Sequence, residues 1–207
     1  KFEQITGRDL FGKVRENMDA LLDAGIPFKL NAVAMRGFND DELPAFVDYA
    51  MHHPIDVRFI EFMPMGEGTR WSDSCFWSAP DILDAVKGLV AVVPVEQEQR
   101  NGGPARLYTL SGPDGPGLGR LGLISPLSSH FCTSCNRLRI TSDGALRTCL
   151  FDDREYRLRN ALRHPKLGIE AVRRIVTLAT RDKPIGARLL ERRHNAVAQR
   201  RMTAIGG

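Results

Sequence analysis

Residues 27–63 read PFKLNAVAMRGFNDDELPAFVDYAMHHPIDVRFIEFM, and this stretch decides the fold. Residues 27–35 alternate between two faces, which predicts a β-strand. Apolar residues then recur at helical spacing over 43–50, and the Val- and Phe-rich run at 56–63 predicts a second strand. A helix between two strands is the unit of a parallel sheet, so the sequence predicts an α/β fold.

The residues before this stretch predict one helix. Its apolar positions are 10, 14, 18, 21 and 22, with Thr6 as N-cap and Gly25 as the stop. The chain thus opens on a helix without a preceding strand, as if a repeating α/β fold were entered partway through. Since Lys1-Phe2-Glu3 gives neither an initiator Met nor a signal peptide, we expect a processed or truncated piece of a longer chain.

The pattern changes after Met63. A long loop to residue 78 precedes a helix at 80–89, strands at 90–95, 106–110 and 121–127, a hairpin over 137–149, and helices at 155–163 and 169–180. The glycines at 117, 119 and 122 match G-x-G-x-x-G, but no helix follows them, so we predict a glycine-rich hairpin loop. We place the domain boundary at residue 78, which gives domains 1–78 and 79–207.

Composition and charge limit the class of protein. The 207 residues are 43% apolar and 26% charged, which excludes a disordered chain, a collagen and a small disulfide scaffold. No apolar run is long enough to span a bilayer. The net charge of +4 comes from residues 181–201, where seven basic residues face two acidic ones. This basic tail is either a solvated surface or a site for an anion such as phosphate or nucleic acid.

Three of the four cysteines fall close together in the sequence. Cys132 and Cys135 have the two-residue gap that lets both thiolates reach one metal centre, and the hairpin returns Cys149 beside them. Three thiolates suit an iron–sulfur cluster or zinc. Zinc would need His130 or Cys75 as a fourth ligand, whereas a [4Fe–4S] cluster would keep one iron open. The alternative is three buried structural thiols.

Other polar residues share strand faces. Arg137 and Arg139 alternate along a predicted strand, so they point to one face and can grip phosphate oxygens; otherwise that face is merely exposed. Lys29 and Asn31 share a polar face that lines a site or belongs to a water-facing edge strand. Met63 ends a strand where α/β folds bind ligands, although a core position is the simpler interpretation.

Together these motifs closely resemble the MoaA family, the radical S-adenosylmethionine enzymes that act as GTP 3′,8-cyclases in molybdenum cofactor biosynthesis. The resemblance is carried by Phe131-Cys132-x-x-Cys135-Asn136-Arg137-Leu138-Arg139, by Asp143-Gly144 and by Cys149-Leu150-Phe151. Residues 2–7, 29–31, 57–64 and the terminal Gly206-Gly207 are also similar to family sequence.

The resemblance implies a fold and a set of site residues. Residues 1–78 would be the second half of an incomplete TIM-like (β/α) barrel, and residues 79–207 a C-terminal α+β region that binds a [4Fe–4S] cluster and GTP. The cluster ligands would be Cys132, Cys135 and Cys149, with the open iron binding the GTP purine. GTP contacts would come from Lys29, Arg137, Leu138 and Arg139. Met63 would contact S-adenosylmethionine, and the Gly-Gly end would reach into the active site.

One family motif is absent from these 207 residues. The radical-generating C-x-x-x-C-x-x-C does not occur, and Cys75 stands alone. The resemblance implies that the intact enzyme, with S-adenosylmethionine and a second [4Fe–4S] cluster, makes a 5′-deoxyadenosyl radical that leads to joining of the ribose 3′ carbon and C8. We expect this chain to hold the substrate half and to be inactive alone.

The remaining expectations concern partners and location. We expect GTP as partner, no nucleic acid and no membrane, with a homodimer left open, in the cytoplasm or, in a eukaryote, the mitochondrion. Two alternatives stay open, which are a structural zinc module and a nucleic-acid binder that uses the basic tail. The tail lacks the interleaved aromatic residues that would stack on bases.

Overall fold

The computed structural model describes residues 1–66, 69–96 and 103–186, together with residues 188, 189, 198, 200, 204 and 205. Of the predicted features, Gly206, Gly207 and the tail arginines 192, 193 and 201 lie outside the described residues. The chain divides into two compact units, of which the first comprises residues 1–62 and 73–129 and the second residues 63–72 and 130–207. The functional boundary expected at residue 78 stays a prediction.

The first unit contains four helices and five strands among its described residues. In chain order they are α1 (Phe2–Thr6), α2 (Phe11–Asp23), β1 (Lys29–Ala34), α3 (Leu43–His52), β2 (Asp56–Glu61), α4 (Ala79–Lys87), β3 (Ala91–Pro94), β4 (Arg106–Gly112) and β5 (Gly115–Ile124). The helix predicted from residues 10–22 is confirmed as α2, but Thr6 is wrong as its N-cap, because a separate short helix, α1, precedes it. Gly7, at a φ of 70°, ends α1, and the Thr6 hydroxyl donates back to the Phe2 carbonyl rather than capping α2. Gly25, at a φ of 64°, forms the predicted stop after α2.

The five strands form one mixed sheet in the order β1-β2-β5-β4-β3. Strands β1, β2 and β5 are parallel, whereas β3, β4 and β5 are antiparallel neighbours. The predicted β1-α3-β2 unit and the α/β class are therefore confirmed. Strand β5 joins the parallel part of the sheet directly beside β2, which the sequence pattern did not indicate.

The two faces of the parallel strands differ in polarity. On one face, side chains such as Ala34, Val57 and Phe59 are buried against α3 and α4. Phe46 of α3 packs edge-on against Phe59, with ring centroids 5.3 Å apart. The opposite face carries polar residues in register, because Lys29 lies opposite Asp56 and residue 31 opposite residue 58. The predicted polar face of β1 is thus present.

The glycine motif at residues 117–122 lies inside β5, so the predicted hairpin loop is wrong at that position. The turn instead occupies residues 113–114, between β4 and β5. A Cβ at Gly119 would lie 2.3 Å from the Ile55 carbonyl oxygen and 2.4 Å from that of His53. A Cβ at Gly122 would meet the Arg58 side chain at 2.7 Å. The glycines are needed because other parts of the chain pass very close to this strand.

The second unit contains a short hairpin and two helices among its described residues. Strands β6 (Arg139–Ile140) and β7 (Leu146–Arg147) pair antiparallel, and α5 (Leu158–Arg163) and α6 (Gly168–Arg181) follow. The predicted hairpin and both helices are confirmed, with Gly144 at a φ of 82° in the turn. Arg147 is fully buried and pairs with Glu155 at 3.2 Å. Within the described residues, no helix has the length and apolar character needed to cross a membrane.

Candidate metal centre and anion site

The cysteine motif forms a tight turn at the start of the second unit. Cys132–Ser134 is a single 3-10 turn, and the Cys135 amide donates to the Cys132 carbonyl at 3.3 Å. Cys149 follows β7 and is buried, whereas Cys132 and Cys135 are half-buried. The two-residue spacing therefore places two thiols on one turn, and the hairpin supplies the third, as predicted.

Two of the three sulfur atoms converge on one glycine. A Cβ at Gly186 would lie 2.9 Å from Cys149 Sγ, 2.9 Å from the Phe151 ring and 3.6 Å from Cys132 Sγ. Burial raises the pKa of the Cys149 thiol; the Phe151 amide partly offsets this, and the nearby Cys132 raises the pKa further. Any side chain at position 186 would fill the space that these sulfur atoms face.

The third thiol is held by a lysine. Lys183 Nζ lies 3.4 Å from Cys135 Sγ, and it also donates to the backbone carbonyls of Cys135 at 2.8 Å and Arg137 at 2.9 Å. Burial by itself raises the pKa of the Cys135 thiol. The Arg137 amide and the Lys183 ammonium outweigh that effect, so the pKa is lowered and the thiolate is favoured.

A single metal ion and an iron–sulfur cluster require different arrangements of the cysteine thiols. Among the described residues, no three His, Cys, Asp or Glu side chains, the three cysteines included, form a group that could hold a single metal ion. A polynuclear cluster spreads its cysteine ligands further apart, because each thiolate binds a different iron. The side-chain-free position at Gly186 leaves space beside two of the three thiols, those of Cys132 and Cys149, which is compatible with such a cluster.

Two guanidinium groups lie beside Cys135. Arg137 and Arg139 are half-buried while Leu138 between them is exposed, so the predicted alternation of faces is confirmed. The Arg137 guanidinium lies over the Phe131 ring, 5.6 Å from its centroid. Burial lowers the pKa of the Arg139 guanidinium, and the neighbouring Arg137 charge lowers it further. Two like charges held this close favour an anion between them.

The other predicted contacts lie on separate elements. Lys29 begins β1 in the first unit and is exposed on its polar face. Met63 follows β2, which ends at residue 61 rather than 63, and it is half-buried with its carbonyl accepting from the Met65 amide at 2.8 Å. Lys29 thus belongs to the first unit and Met63 to the second, and the roles predicted for both remain predictions.

A buried ion pair on the first unit's sheet was not anticipated from the sequence. Asp56 accepts from Arg58 at 2.8 Å and from Arg120 at 2.7 Å. Burial raises the pKa of Asp56, but the two guanidiniums outweigh this and lower the pKa overall. Asp56 and Arg58 lie two positions apart on β2, and the parallel register of β2 and β5 places Arg120 opposite Asp56, so only the strand order could have identified the Arg120 contact.

Sequence reasoning also missed Lys183 and Gly186. Lys183 belongs to the basic tail, for which the sequence leaves a solvated surface and an anion site open, and Gly186 matches no motif. Both follow directly after α6, within the motif Lys183-Pro184-Ile185-Gly186. The only signal in the sequence was a lysine, a proline and a glycine in quick succession after a helix.

With this geometry described, comparisons with known proteins identify the family. Residues 55–189 match the family model described as Molybdenum Cofactor Synthesis C, and the chain belongs to this family. A GTP 3′,8-cyclase of Alkaliphilus oremlandii (strain OhILAs) is 42% identical, over 100% of this chain and 61% of the relative. One of Syntrophomonas wolfei subsp. wolfei is 42% identical over 89% and 55%, respectively. One of Alkaliphilus metalliredigens (strain QYMF) is 38% identical over 100% and 61%.

These matches confirm the resemblance to the GTP 3′,8-cyclase family. The chain spans about three-fifths of the length of the curated relatives that it matches. The family model covers both the sheet strands from β2 onward and the cysteine hairpin.

Proposed function

We propose that this chain is the substrate-binding portion of a GTP 3′,8-cyclase of molybdenum cofactor biosynthesis. The observation that carries the proposal is the arrangement of three cysteines and two half-buried arginines around one short turn of the second unit. Thiolates and guanidiniums have different uses, since thiolates bind soft metals and guanidiniums bind phosphate oxygens. A nucleotide that also ligates a metal cluster requires both.

In this proposal Cys132, Cys135 and Cys149 hold a [4Fe–4S] cluster. The cluster, when bound, supplies an iron with an open coordination position for the purine of GTP. The lowered pKa of the Cys135 thiol favours the thiolate form that a cluster needs. Gly186 leaves space beside two of the sulfur atoms.

In the same proposal, the two arginines bind the triphosphate of GTP, and Lys29 is a further contact to GTP. Arg137, just before β6, and Arg139, its first residue, are both half-buried and can each grip two phosphate oxygens, because a guanidinium presents paired N–H donors. Leu138 would line the site between them, and Lys29 of the first unit is proposed as a further GTP contact. The phosphates would also relieve the mutual repulsion that lowers the pKa of Arg139.

S-adenosylmethionine and a second [4Fe–4S] cluster belong to the proposed activity of the whole protein. The C-x-x-x-C-x-x-C motif that would hold this second cluster does not occur within the 207 residues. Here the chain's own contribution would be Met63, next to the end of β2. We further propose that β1, α3 and β2 belong to an incomplete (β/α) barrel, and that the protein acts in the cytoplasm without nucleic acid.

Anaerobic reconstitution with iron and sulfide, followed by GTP titration, tests the proposal. We expect bound iron and sulfide together with GTP binding. Arg137→Gln or Arg139→Gln should weaken GTP binding about tenfold or more, because each loses a charge-assisted hydrogen bond. Arg163→Gln, an exposed arginine of the same unit, is the matched control and should bind GTP like the unmodified chain.

Other outcomes would contradict the proposal. GTP affinity that is unchanged in both arginine variants would refute the substrate assignment. Bound zinc without sulfide would favour the structural zinc module. Salt-dependent binding of polynucleotide without preference for GTP would favour the nucleic-acid alternative. Against that alternative, Arg200 of the basic tail is engaged internally, with both terminal nitrogens 3.1 Å from Asp143 oxygens.

A further inference from the structure

Two residues of one short segment lie beside the three cysteines of the candidate cluster site. Lys183 reaches Cys135, and Gly186 approaches both Cys132 and Cys149. This segment, residues 183–186, follows the C-cap residue Asp182 of α6, whose last residue is Arg181. The segment therefore forms a second layer around the thiols, although it contains no metal ligand of its own.

We propose that Lys183 is a positioning residue that holds Cys135 and Arg137 for the cluster and the substrate, and that it tunes the reduction potential of the cluster. This inference rests on the proposed function, because it concerns the cluster that Cys135 would help to hold. Lys183 itself binds no iron and touches no reacting atom in the described geometry. It acts through the two residues that it contacts.

The hydrogen bonds of Lys183 account for the positioning role. A lysine ammonium has three N–H donors, and here they have three acceptors, which are the carbonyls of Cys135 and Arg137 and the sulfur of Cys135. The two carbonyls flank Asn136, so the ammonium fixes the backbone on both sides of that residue. The metal ligand and the arginine that follows it are held by one side chain.

The chain around Lys183 prepares it for this role. The Lys183 amide donates to the Thr180 carbonyl at 3.3 Å, which anchors the residue to the last turn of α6. Pro184 follows and restricts the backbone after the helix. The long side chain is half-buried, so part of the cost of ordering it is offset by packing. A lysine that merely covered the surface would have no reason to reach three acceptors on one turn.

Electrostatics explain the tuning role. Reduction adds negative charge to an iron–sulfur cluster and its thiolates. A positive charge and an N–H donor at a ligand sulfur stabilise that added charge, so they raise the reduction potential. The 3.4 Å separation between the ammonium nitrogen and Cys135 Sγ places Lys183 where it exerts both effects.

Four variants of the full chain separate these roles. Lys183→Met removes charge and donors at nearly equal length, Lys183→Gln removes the charge but keeps a donor, and Lys183→Arg keeps both. Lys166→Met, an exposed lysine before α6, is the matched control. Each protein is reconstituted anaerobically with ferrous iron and sulfide. Iron loss to a ferrous chelator, the potential from a redox titration followed by electron paramagnetic resonance, and GTP affinity are then measured.

We expect Lys183→Met to lose iron to the chelator about 10- to 100-fold more readily, as is typical when an outer partner of a metal ligand is removed. Its potential should become more negative and its GTP binding weaker, whereas Lys183→Arg should restore much of both. Lys166→Met should match the unmodified chain. If Lys183→Met does not fold, as judged by thermal melting, Lys183→Gln decides, and we expect a more negative potential from it as well.

The outcomes distinguish this inference from the proposed function. An unmodified chain that binds no iron and sulfide overturns the proposed function, and this inference with it. An unmodified chain that holds a cluster, beside lysine variants with unchanged potential and iron retention, overturns this inference alone. A change in melting temperature without any change in potential would also overturn it, because that result indicates a merely structural lysine.

Discussion

Replacing Glu61 by glutamine is the sharpest test of how the first unit is held together. Glu61 is the last residue of β2 and is only 1% exposed. One carboxylate oxygen accepts from the Ala79 amide at 2.8 Å and from the Ser128 hydroxyl. The other accepts from the amides of Leu127 at 2.8 Å and Ser128 at 3.0 Å. One carboxylate thus binds the start of α4 and the loop after β5 to the end of β2.

The geometry sets the size of the expected effect. Glutamine has one acceptor oxygen and one donor NH₂, so its NH₂ must face donors in either orientation. The less costly orientation points the NH₂ toward the Ala79 amide and the Ser128 hydroxyl, because the hydroxyl can rotate and accept. One buried backbone N–H then loses its partner, and the remaining bonds lose the assistance of the charge. We expect Glu61→Gln to lower the free energy of unfolding by about 2–4 kcal/mol.

Urea unfolding measures this difference. Glu170→Gln is the matched control, because that carboxylate is 75% exposed and, among the described residues, pairs with Arg173 of the same helix. We expect the control to change the unfolding free energy by less than about 0.5 kcal/mol. A Glu61→Gln protein within about 0.5 kcal/mol of the unmodified chain would refute the inference that this carboxylate organises the loops.

Three further predictions follow from close contacts and charge. Gly119→Ala should destabilise the chain by about 3 kcal/mol, because the added Cβ would meet backbone oxygen atoms at 2.3–2.8 Å. Gly12→Ala is the control: its added Cβ meets no neighbouring atom of the described residues within 4 Å, so thermal melts should show a neutral or slightly stabilising effect. Gly186→Ala should reduce iron retention after reconstitution, since its Cβ would crowd Cys149 Sγ; full retention would contradict the fit of a cluster there. The folded-state pKa of Asp56 is lowered, so the stability that Asp56 contributes is complete above its unfolded pKa of about 3.9 and is lost as the pH falls through the folded value. Asp56→Asn should therefore weaken the loss of stability at acidic pH, as measured by unfolding at a series of pH values.

Much of the fold could be predicted because its signals are local. The alternation at residues 27–35 and the helical spacing at 43–50 each depend on neighbours within a few positions, and β1, α3 and β2 formed as predicted. The glycine motif failed for the opposite reason. Its glycines are required by the close approach of the chain at residues 50–58, more than sixty positions earlier, and no local pattern reports such contacts.

The candidate site also has some features that follow from local sequence and others that depend on tertiary packing. The spacing of Cys132 and Cys135, their return partner Cys149, and the shared face of Arg137 and Arg139 are properties of one turn and one hairpin, so the sequence alone determined them. Which residues surround those thiols was decided only by tertiary structure. The segment after α6 packs against a turn some fifty residues earlier in the chain, and this brings Lys183 to Cys135 and leaves Gly186 facing two sulfur atoms. Local spacing thus selected the candidate ligands, and long-range packing decided which residues lie beside them.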